Sequence, residues 1–410
     1  MNLNNNLEKY AELVVKKGLN LQQNQILVIN SPIECAPFTR EVAKAAYSVG
    51  AKDVVINYKD ELFSKIRFLH APDIVFEEFP DWQKDFYITY LHQKAAFLSI
   101  AASDPEIFKD VDPNRLSTAQ KVANTALKEY REKVMNNENA WCVVSVPTVS
   151  WAKKVFSHLP EDKAYDKLFD VILKTVRVDT EDPIKAWDEH KDNLNKRADY
   201  LNKSDFDYLI FKNSAGTDLK LELAEGHIWL SALEYTPEGI GFIANMPTEE
   251  VFSMPKKTGV NGTVASSKPL NYNGNIIENF SLTFKDGKVV DYSAKKGSEV
   301  LKRLLEMDEG APYLGEVALV PVDSPISNSG ILFYNTLFDE NASCHLALGK
   351  AYNVCLKDGT QMSEEELSQK GANDSLIHVD FMIGTKDLSI IGVTKDGKKQ
   401  VVFQYGNFAI

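Results

Sequence analysis

The sequence predicts an α/β protein, with an N-terminal doubly wound parallel-sheet domain followed by a C-terminal mixed α+β domain. In the first half, short apolar runs alternate with helical patterns, which is typical of a parallel sheet covered on both faces. In the second half, apolar and polar residues alternate with period two around Asp-Gly dipeptides, which indicates antiparallel hairpins. The length of 410 residues suits two or three domains of roughly 100–200 residues each.

The elements of the first half follow one another as helices and strands. Leu7–Lys17 places its apolar side chains on one helical face, and Gly18 ends this helix. A second helix is predicted over Phe38–Ser48. The predicted strands are Ile26–Asn30, Asp53–Tyr58, Ala95–Ser99 and Trp141–Val146. Neither GxGxxG nor GxxxxGK[ST] occurs, so no nucleotide-binding loop is expected.

The character of the chain changes after a charged helical stretch, Ala164–Lys203. We place the domain junction there and predict domains at 1–190 and 191–410. Beyond the junction, Leu219–Leu223 alternates as a strand. A helix is predicted over Ser298–Asp308. Hairpins are predicted around the Asp-Gly pairs at 286–287 and 396–397.

The composition excludes several classes of partner. With 58 acidic and 46 basic side chains, the formal charge is −12, which argues against non-specific binding to nucleic-acid phosphates. No apolar run reaches the ~20 residues that a membrane helix needs. The four cysteines form no CxxC pair, so neither a disulfide framework nor a thiolate zinc site is predicted. The N-terminal sequence lacks the features of a secretory signal, and we expect a cytoplasmic protein.

A histidine and an aspartate share an apolar segment near the C-terminus. His378 and Asp380 lie two residues apart in IHVDFMI, so in a buried strand they face the same side. A buried carboxylate must be paired or must bind a metal ion. The segment by itself therefore leaves two alternatives open, a His–Asp hydrogen bond within a core and a pair of metal ligands.

A second histidine lies in a run that is predicted to be helical, from Asn341 to Cys355. In such a helix Tyr352 lies two turns after His345 and points the same way. Glu340 precedes the helix and could reach the same space from the loop. The alternative is a capping acid, a buried histidine and a core tyrosine.

Three further acids lie beside apolar strands. Glu316 is at the start of the apolar run LGEVALV, and Glu249 and Glu250 precede another apolar stretch. Because adjacent strand residues face opposite sides, we expect at most one of Glu249 and Glu250 to point inward. Either segment taken alone also fits an exposed strand end.

Together these segments supply four carboxylates and two imidazoles: Glu250, Glu316, Glu340, His345, His378 and Asp380. The set is richer in oxygen than a closed structural zinc site. It suits two divalent ions about 3.5–4 Å apart that share a carboxylate and a hydroxide, as in aminopeptidases and phosphatases. In such a site one ion polarises a scissile carbonyl, and the pair lowers the pKa of the bridging water. The HExxH helix of single-zinc peptidases is absent.

Four stretches closely resemble the aminopeptidase T family (M29) of metallo-aminopeptidases, and the resemblance extends over essentially the whole chain. They are NMPTEEVFSMP (Asn245–Pro255), YLGEVALVPVDSPIS (Tyr313–Ser327), ILFYNTLFDENASCHLALGKAY (Ile331–Tyr352) and IHVDFMIG (Ile377–Gly384).

The resemblance implies a homodimer that removes N-terminal amino acids from peptides with two divalent ions, zinc, cobalt or magnesium. The ligand positions of the family fall on the six residues above, which favours Glu250 over Glu249 and makes Glu316 the bridge between the ions. The tyrosine of the family falls on Tyr352, which is suited to stabilise a tetrahedral intermediate by hydrogen bonding. We therefore expect the dinuclear catalytic site in 191–410. We expect 1–190 to build a chamber wall and the dimer contacts.

Two other functions fit part of the pattern. Another dinuclear hydrolase, a phosphoesterase or an amidohydrolase, would use the same ligand types, although such enzymes tend to carry DxH and HxH clusters. Lys256, Lys257 and Lys350 lie close to the motifs and would suit a phosphate. A solute-binding protein without enzymatic activity would use the acids and histidines only structurally.

Overall fold

One parallel sheet and three antiparallel sheets carry the fold of residues 3–410, the part of the chain that this computed structural model describes. The strands are β1 Ile26–Pro32, β2 Asp53–Lys59, β3 Ala96–Ile100, β4 Trp141–Val144, β5 Phe206–Lys212, β6 Asp218–Leu223, β7 Leu233–Tyr235, β8 Gly241–Ile243, β9 Val251–Ser253, β10 Pro255–Ala265, β11 Leu270–Tyr272, β12 Asn275–Lys285, β13 Lys288–Lys296, β14 Leu314–Leu319, β15 His345–Gly349, β16 His378–Met382, β17 Ser389–Thr394, β18 Lys399–Gln404 and β19 Asn407–Phe408.

The helices between these strands are α1 Leu3–Leu13, α2 Ala36–Ser48, α3 Glu61–His70, α4 Asp81–His92, α5 Pro113–Ala126, α6 Lys128–Met135, α7 Val149–Val155, α8 Glu161–Thr175, α9 Pro183–Ser204, α10 Ser298–Leu305, α11 Pro325–Asn328, α12 Thr336–Asp339 and α13 Glu364–Lys370. Within residues 3–410, none of the helices combines the length and the apolar character that a bilayer-spanning segment requires.

The chain divides into two compact units. The first unit contains the chain up to Asp192, together with Ala232–Thr248 and Phe333–Leu337. The second unit contains Asn193–Ser231, Glu249–Leu332 and Phe338–Ile410. The chain first passes from one unit to the other between Asp192 and Asn193, inside α9. The roles expected for domains 1–190 and 191–410 stay predictions.

The first unit is built on a parallel sheet with the strand order β2-β1-β3-β4. Strand β1 is buried on both faces. Val28 packs with Phe97 and with apolar side chains of α4 and α6, whereas the alternate residues Leu27 and Ile29 are also fully buried. Because successive strand side chains point to opposite faces, this continuous burial explains the unbroken apolar run in the sequence.

The second unit contains two large antiparallel sheets. Nine strands form one of them, in the order β11-β12-β10-β6-β5-β17-β18-β19, with β13 paired to β12. The other has the order β16-β15-β14-β9. Strands β14 and β15 are buried along their whole length, so this smaller sheet lies inside the second unit and can hold polar side chains away from water.

The fold class predicted from the sequence is confirmed, with a parallel-sheet region first and a mixed antiparallel region second. Both predicted hairpins are present, β12–β13 around Asp286-Gly287 and β17–β18 around Asp396-Gly397. The charged stretch between the halves forms two helices, α8 and α9.

The prediction of a helix from Asn341 to Cys355 was wrong. Residues Glu340–Ala342 form a single 3₁₀ turn, and the chain then enters strand β15. β15 pairs with β14 on one side and β16 on the other. A strand that is buried on both faces shows no period-two alternation, so its small and apolar residues fit a buried helix equally well. Here tertiary pairing decides between the two structures.

Candidate metal centre

Neighbouring strands of the smaller sheet in the second unit present the polar side chains that the sequence singled out. Glu316 lies on β14, His345 on β15, and His378 and Asp380 on β16. Across the sheet Glu316 is opposite Ala347, which is opposite Asp380. His345 and His378 lie two residues from this row along their own strands and so share its face. Glu250 immediately precedes β9, the strand on the other side of β14.

A bulge on β14 sets the position of Glu316. The register shifts between the Leu314–Leu348 pair and the Glu316–Ala347 pair, so Gly315 has no partner of its own. A side chain at Gly315 would collide with the backbone carbonyl oxygens of Gly349 and Lys350. Glycine at this position therefore lets β14 approach the neighbouring chain closely, and the bulge aims the next side chain, Glu316, into the cluster.

Two overlapping groups of side chains result, and Glu316 belongs to both. Its Oε1 lies 3.7 Å from His345 Nε2, and its Oε2 lies 3.2 Å from His378 Nε2. Glu250 Oε2 completes the first group, 3.1 Å from His345 Nε2. Asp380 Oδ1 completes the second group, 3.5 Å from His378 Nε2. Each oxygen of one carboxylate thus faces a different histidine.

Backbone carbonyls orient both imidazole rings. His345 Nδ1 lies 3.0 Å from the carbonyl oxygen of Glu340, and His378 Nδ1 lies 2.7 Å from that of Lys350. A carbonyl oxygen only accepts hydrogen bonds, so each Nδ1 carries a hydrogen and donates it. Each neutral ring therefore points the lone pair of Nε2 at carboxylate oxygens, an arrangement that is repulsive unless a cation or a proton lies between them.

This donor set fits divalent metal ions. Glu250 Oε2 is buried and accepts no hydrogen bond among the described residues, although it lies close to the nitrogen of His345. A buried carboxylate oxygen without a hydrogen-bond donor is costly, and a metal ion would satisfy it. Two imidazole nitrogens and the surrounding carboxylate oxygens are ligand types that several divalent ions accept.

Burial and mutual charge shift the pKa values of these groups in opposite directions. Burial raises the pKa of Glu316, but the facing imidazoles of His345 and His378 lower it more, to about 2. Burial lowers the pKa of both histidines, but the facing carboxylates raise each of them well above the ordinary value. The bridging acid is therefore ionised, and in the absence of metal its negative charge would draw protons to the imidazoles.

Glu340 is buried beside the two groups but belongs to neither of them. Burial raises its pKa well above the ordinary value, and the charges of Asp380 and Glu250 add to this. Asn341 Nδ2 donates a hydrogen bond to Glu340 Oε1 at 3.3 Å. The same amide accepts a hydrogen bond through its Oδ1 from the backbone N–H of Glu249, at 2.8 Å. Asn341 thus hydrogen-bonds to the side chain of Glu340 and to the backbone of Glu249. The sequence analysis did not identify this residue.

Tyr352 lies beside the second group. Its ring centroid is 4.6 Å from that of His378, and the two rings meet edge to face. It lies in the loop after β15, immediately before the 3₁₀ turn Asn353–Cys355, so its proximity to the cluster comes from this loop and not from the predicted helical spacing.

The expectation that only one of Glu249 and Glu250 points inward was wrong. Both are buried, because they precede β9 and the alternation of a strand does not apply to them. Burial lowers the pKa of Arg197, and the charge of Glu249 opposes this shift. Asp339, which precedes Glu340, is likewise buried and acts electrostatically on Lys268. Glu249, next to Glu250, thus interacts with Arg197, and Asp339, next to Glu340, interacts with Lys268. The adjacent acid pairs in the sequence were the signal from which these two additional buried acids could have been predicted.

The chain is similar to known proteins over nearly its whole length. Residues 3–408 match the family model described as thermophilic metalloprotease (M29). The chain is 52% identical over 403 residues to aminopeptidase 2 of Geobacillus stearothermophilus, covering 98% of this chain and 97% of that protein. It is 46% identical over 403 residues to aminopeptidase AmpS of Bacillus subtilis, covering 98% of each. The solved structure of wild-type AmpT from Thermus thermophilus superposes with a TM-score of 0.91 at 38% identity, covering 99% of each chain.

Proposed function

The chain belongs to the M29 family of metalloproteases, and from this premise we propose that it releases N-terminal amino acids from peptides at a dinuclear metal site. The observation that carries the dinuclear proposal is the position of Glu316, whose two oxygens face two histidines in two overlapping ligand groups. A single-ion site would not need a carboxylate that is shared in this way.

The residues proposed to hold the ions are Glu250, Glu316, Glu340, His345, His378 and Asp380. When bound, zinc, cobalt or magnesium would polarise the scissile carbonyl and supply hydroxide near neutral pH. Glu316 stays ionised and would join the two halves of the site. The carbonyl oxygens of Glu340 and Lys350 keep the Nδ1 hydrogens in place and leave each Nε2 free to act as a ligand.

Tyr352 is the residue we propose to stabilise the tetrahedral intermediate. Its ring packs against that of His378, which restricts where the phenol can lie. A phenolic O–H near the reacting carbonyl can donate a hydrogen bond to the oxygen that gains negative charge.

The buried acids also bear on the class of substrate. A peptide with a free N-terminus brings a cationic ammonium group, and a cluster with several carboxylates attracts it electrostatically. We further propose, on the resemblance to the family, that the protein is a homodimer in the cytoplasm and that domain 1–190 contributes the chamber wall and dimer contacts.

The lysines near the motifs do not favour a phosphoesterase. Lys256 pairs with Glu222, Lys257 lies over the ring of Tyr313, and Lys350 pairs with Asp374. A phosphate site draws on cations that converge on the ligand, and each of these amines has another partner.

Metal content and activity of Glu316→Gln test the proposal. We expect about two ions per chain in the native protein and at most one in Glu316→Gln, because the amide loses the charge that both halves share. Hydrolysis of aminoacyl-p-nitroanilides should fall at least about 100-fold. Glu225→Gln, at an exposed position, is the matched control. A native protein with one ion per chain, or a fully active Glu316→Gln, would contradict the dinuclear site. Hydrolysis of p-nitrophenyl phosphate in preference to the anilides would contradict the aminopeptidase.

A further inference from the structure

Two of the proposed ligands follow closely after points where the chain leaves the first unit. One segment of the first unit ends at Thr248, and Glu250 lies two residues beyond it. Another segment ends at Leu337, and Glu340 lies three residues beyond it. The remaining four proposed ligands lie on strands of the second unit. The positions of Glu250 and Glu340 therefore depend on segments that begin in the first unit.

The segment that ends at Thr248 is fixed within the first unit by three hydrogen bonds. The backbone N–H of Val143 on β4 donates to the carbonyl oxygen of Ala244 at 2.7 Å, and the N–H of Met246 donates to that of Val143 at 2.9 Å. From α9, His190 Nε2 donates to the carbonyl oxygen of Thr248 at 2.8 Å. The last carbonyl of this segment is thus held by a side chain of the first unit.

The segment that ends at Leu337 is fixed in a similar way. Trp151 on α7 donates a hydrogen bond from its indole Nε1 to the carbonyl oxygen of Phe333 at 2.6 Å, and both residues are completely buried. Asn335 Nδ2 donates to the carbonyl oxygen of Ala101 at 2.9 Å, and its Oδ1 accepts from the backbone N–H of Leu337 at 3.2 Å. These bonds fix the start of α12, the helix that leads into Glu340.

A short stretch of backbone passes these constraints on to the ligands. Each residue has only two soft backbone dihedrals, so the fixed carbonyl of Thr248 restricts where Glu250 can lie. The same holds for Glu340, which directly follows α12. We propose that His190 and Trp151 are positioning residues for metal binding, which hold the segments that lead into Glu250 and Glu340. Both anchors belong to the first unit, so this unit would contribute to the metal centre without supplying a ligand.

The two anchors act on different parts of the centre. Glu250 belongs to the ligand group of Glu316 and His345, whereas Glu340 belongs to neither group. Loss of the His190 anchor should therefore weaken mainly the ion that this group holds. The inference rests on the proposed function, because it concerns the same ions, but neither anchor is a proposed ligand. Metal binding by the native protein and its dependence on the anchors can therefore fail separately in experiments.

Zinc titration of full-length His190→Leu tests the first anchor. We expect one ion to bind at least about tenfold more weakly and the other to keep nearly its native affinity, as is usual when a group that orients a ligand is removed. His190→Gln should restore most of the affinity, because its amide N–H can take the place of the Nε2 donor. His92→Leu, at an exposed position, should bind both ions as the native protein does.

The cobalt form of Trp151→Phe tests the second anchor. We expect about tenfold weaker cobalt binding and an altered visible absorption spectrum, because a displaced Glu340 changes the coordination of the ion. Trp141→Phe is the matched control. It also removes an indole hydrogen bond within the first unit, from Nε1 to Asn137 Oδ1 at 3.3 Å, and its affinity and spectrum should stay native.

The outcomes separate this inference from the proposed function. Native affinity for zinc and cobalt in folded His190→Leu and Trp151→Phe would overturn the inference, and two ions in the native protein would still support the dinuclear site. A native protein that binds no divalent ion would overturn both. If one variant does not fold, as judged by circular dichroism, the other decides. If neither folds, zinc titration of His190→Asn decides, because its shorter amide does not reach the carbonyl oxygen of Thr248.

Discussion

Asn341 illustrates how one buried amide can position two segments that are distant in sequence. Its Oδ1 accepts the N–H of Glu249, which is 92 residues away along the chain. Its Nδ2 donates to the carboxylate of Glu340. Because these two bonds use opposite ends of one amide, they fix its orientation, and the side chain is completely buried. Such a residue positions proposed ligands without being one of them.

We predict that Asn341→Leu weakens both the fold and the binding of metal ions. Loss of both hydrogen bonds leaves a buried N–H and a buried carboxylate without partners, at a cost of about 2–5 kcal/mol in the free energy of unfolding. Metal titration should show at least about a tenfold weaker affinity, as is usual when groups that orient ligands are removed. Asn328→Leu, at an exposed position, is the control. Native metal affinity in a destabilised Asn341→Leu would show that the residue is only structural.

His227 provides a pH dependence that is separate from the metal centre. Burial lowers its pKa below the ordinary 6.5, although its hydrogen bond to the carbonyl oxygen of Ala224 opposes the shift. A group with a depressed pKa in the folded state takes up its proton first in the unfolded state. Stability therefore falls as the pH drops below about 6.5, by at most about 1.4 kcal/mol per pH unit.

We predict that His227→Asn removes part of this acid sensitivity. The asparagine amide can still donate to Ala224 but does not titrate, so the loss of stability between pH 7 and pH 5 should be smaller than in the native protein. Urea unfolding midpoints at pH 5, 6 and 7 measure this loss, and His158→Asn, at an exposed position, controls for the substitution. An identical pH profile for His227→Asn and the native protein would show that His227 is not buried as a neutral group.

At the level of the element, strand β14 has to combine close packing with a bulge. Gly315 supplies both, because any side chain there would meet the carbonyl oxygens of Gly349 and Lys350. The Lys350 carbonyl also accepts the hydrogen bond from His378 Nδ1. A displacement at Gly315 would therefore disturb Glu316 on its own strand and His378 two strands away.

We predict that Gly315→Ala lowers the free energy of unfolding by about 1–3 kcal/mol, as overpacking usually does. It should also weaken the binding of both proposed ions, which metal titration and stability measurements can follow together. Gly226→Ala is a suitable control, since Gly226 has φ +81° but open space around it. That control should show backbone strain alone, with unchanged metal binding. If Gly315→Ala binds metal as the native protein does, the bulge does not aim the cluster.

The elements also show where sequence reasoning succeeds and where it stops. The spacing of His378 and Asp380 placed both on one face of a strand, and this was correct because period two survives in a partly exposed strand. The segment of His345 was assigned to a helix because a strand buried on both faces shows no period. Asn341 could not be predicted, since its partner Glu249 reaches it only through the fold. Local patterns thus identified the chemistry of the segments, whereas long-range pairing decided their geometry.

At the scale of the whole molecule, the acidic residues behind the formal charge of −12 do not affect the two units equally. All six proposed ligands belong to the second unit, and their four carboxylates lie close to one another with only two imidazoles. Bound cations would remove this repulsion from the folded state alone, because the unfolded chain separates the ligands. Metal binding should therefore stabilise the second unit specifically.

The tryptophans allow the two units to be followed separately. Of the five in the chain, Trp229 belongs to the second unit, and the other four, Trp82, Trp141, Trp151 and Trp187, belong to the first. Trp229 is buried, and its indole N–H finds no hydrogen-bond partner within residues 3–410, so Trp229→Phe removes no hydrogen bond from this part of the chain. Fluorescence of Trp229→Phe then reports on the first unit, and calorimetry reports on both.

We predict that chelation lowers the unfolding temperature of the second unit by about 5–10 °C for each ion removed. This follows from about 2.7 kcal/mol of binding stabilisation when the free ion is at 100 times its dissociation constant, and from about 2–4 °C per kcal/mol for a unit of this size. The fluorescence transition of Trp229→Phe should shift much less, because the first unit holds no proposed ligand. Addition of zinc to the chelated protein should restore the calorimetric transition. Equal shifts in the fluorescence and calorimetric transitions would mean that the two units unfold together. No shift in either transition would mean that the six residues do not bind ions that stabilise the fold.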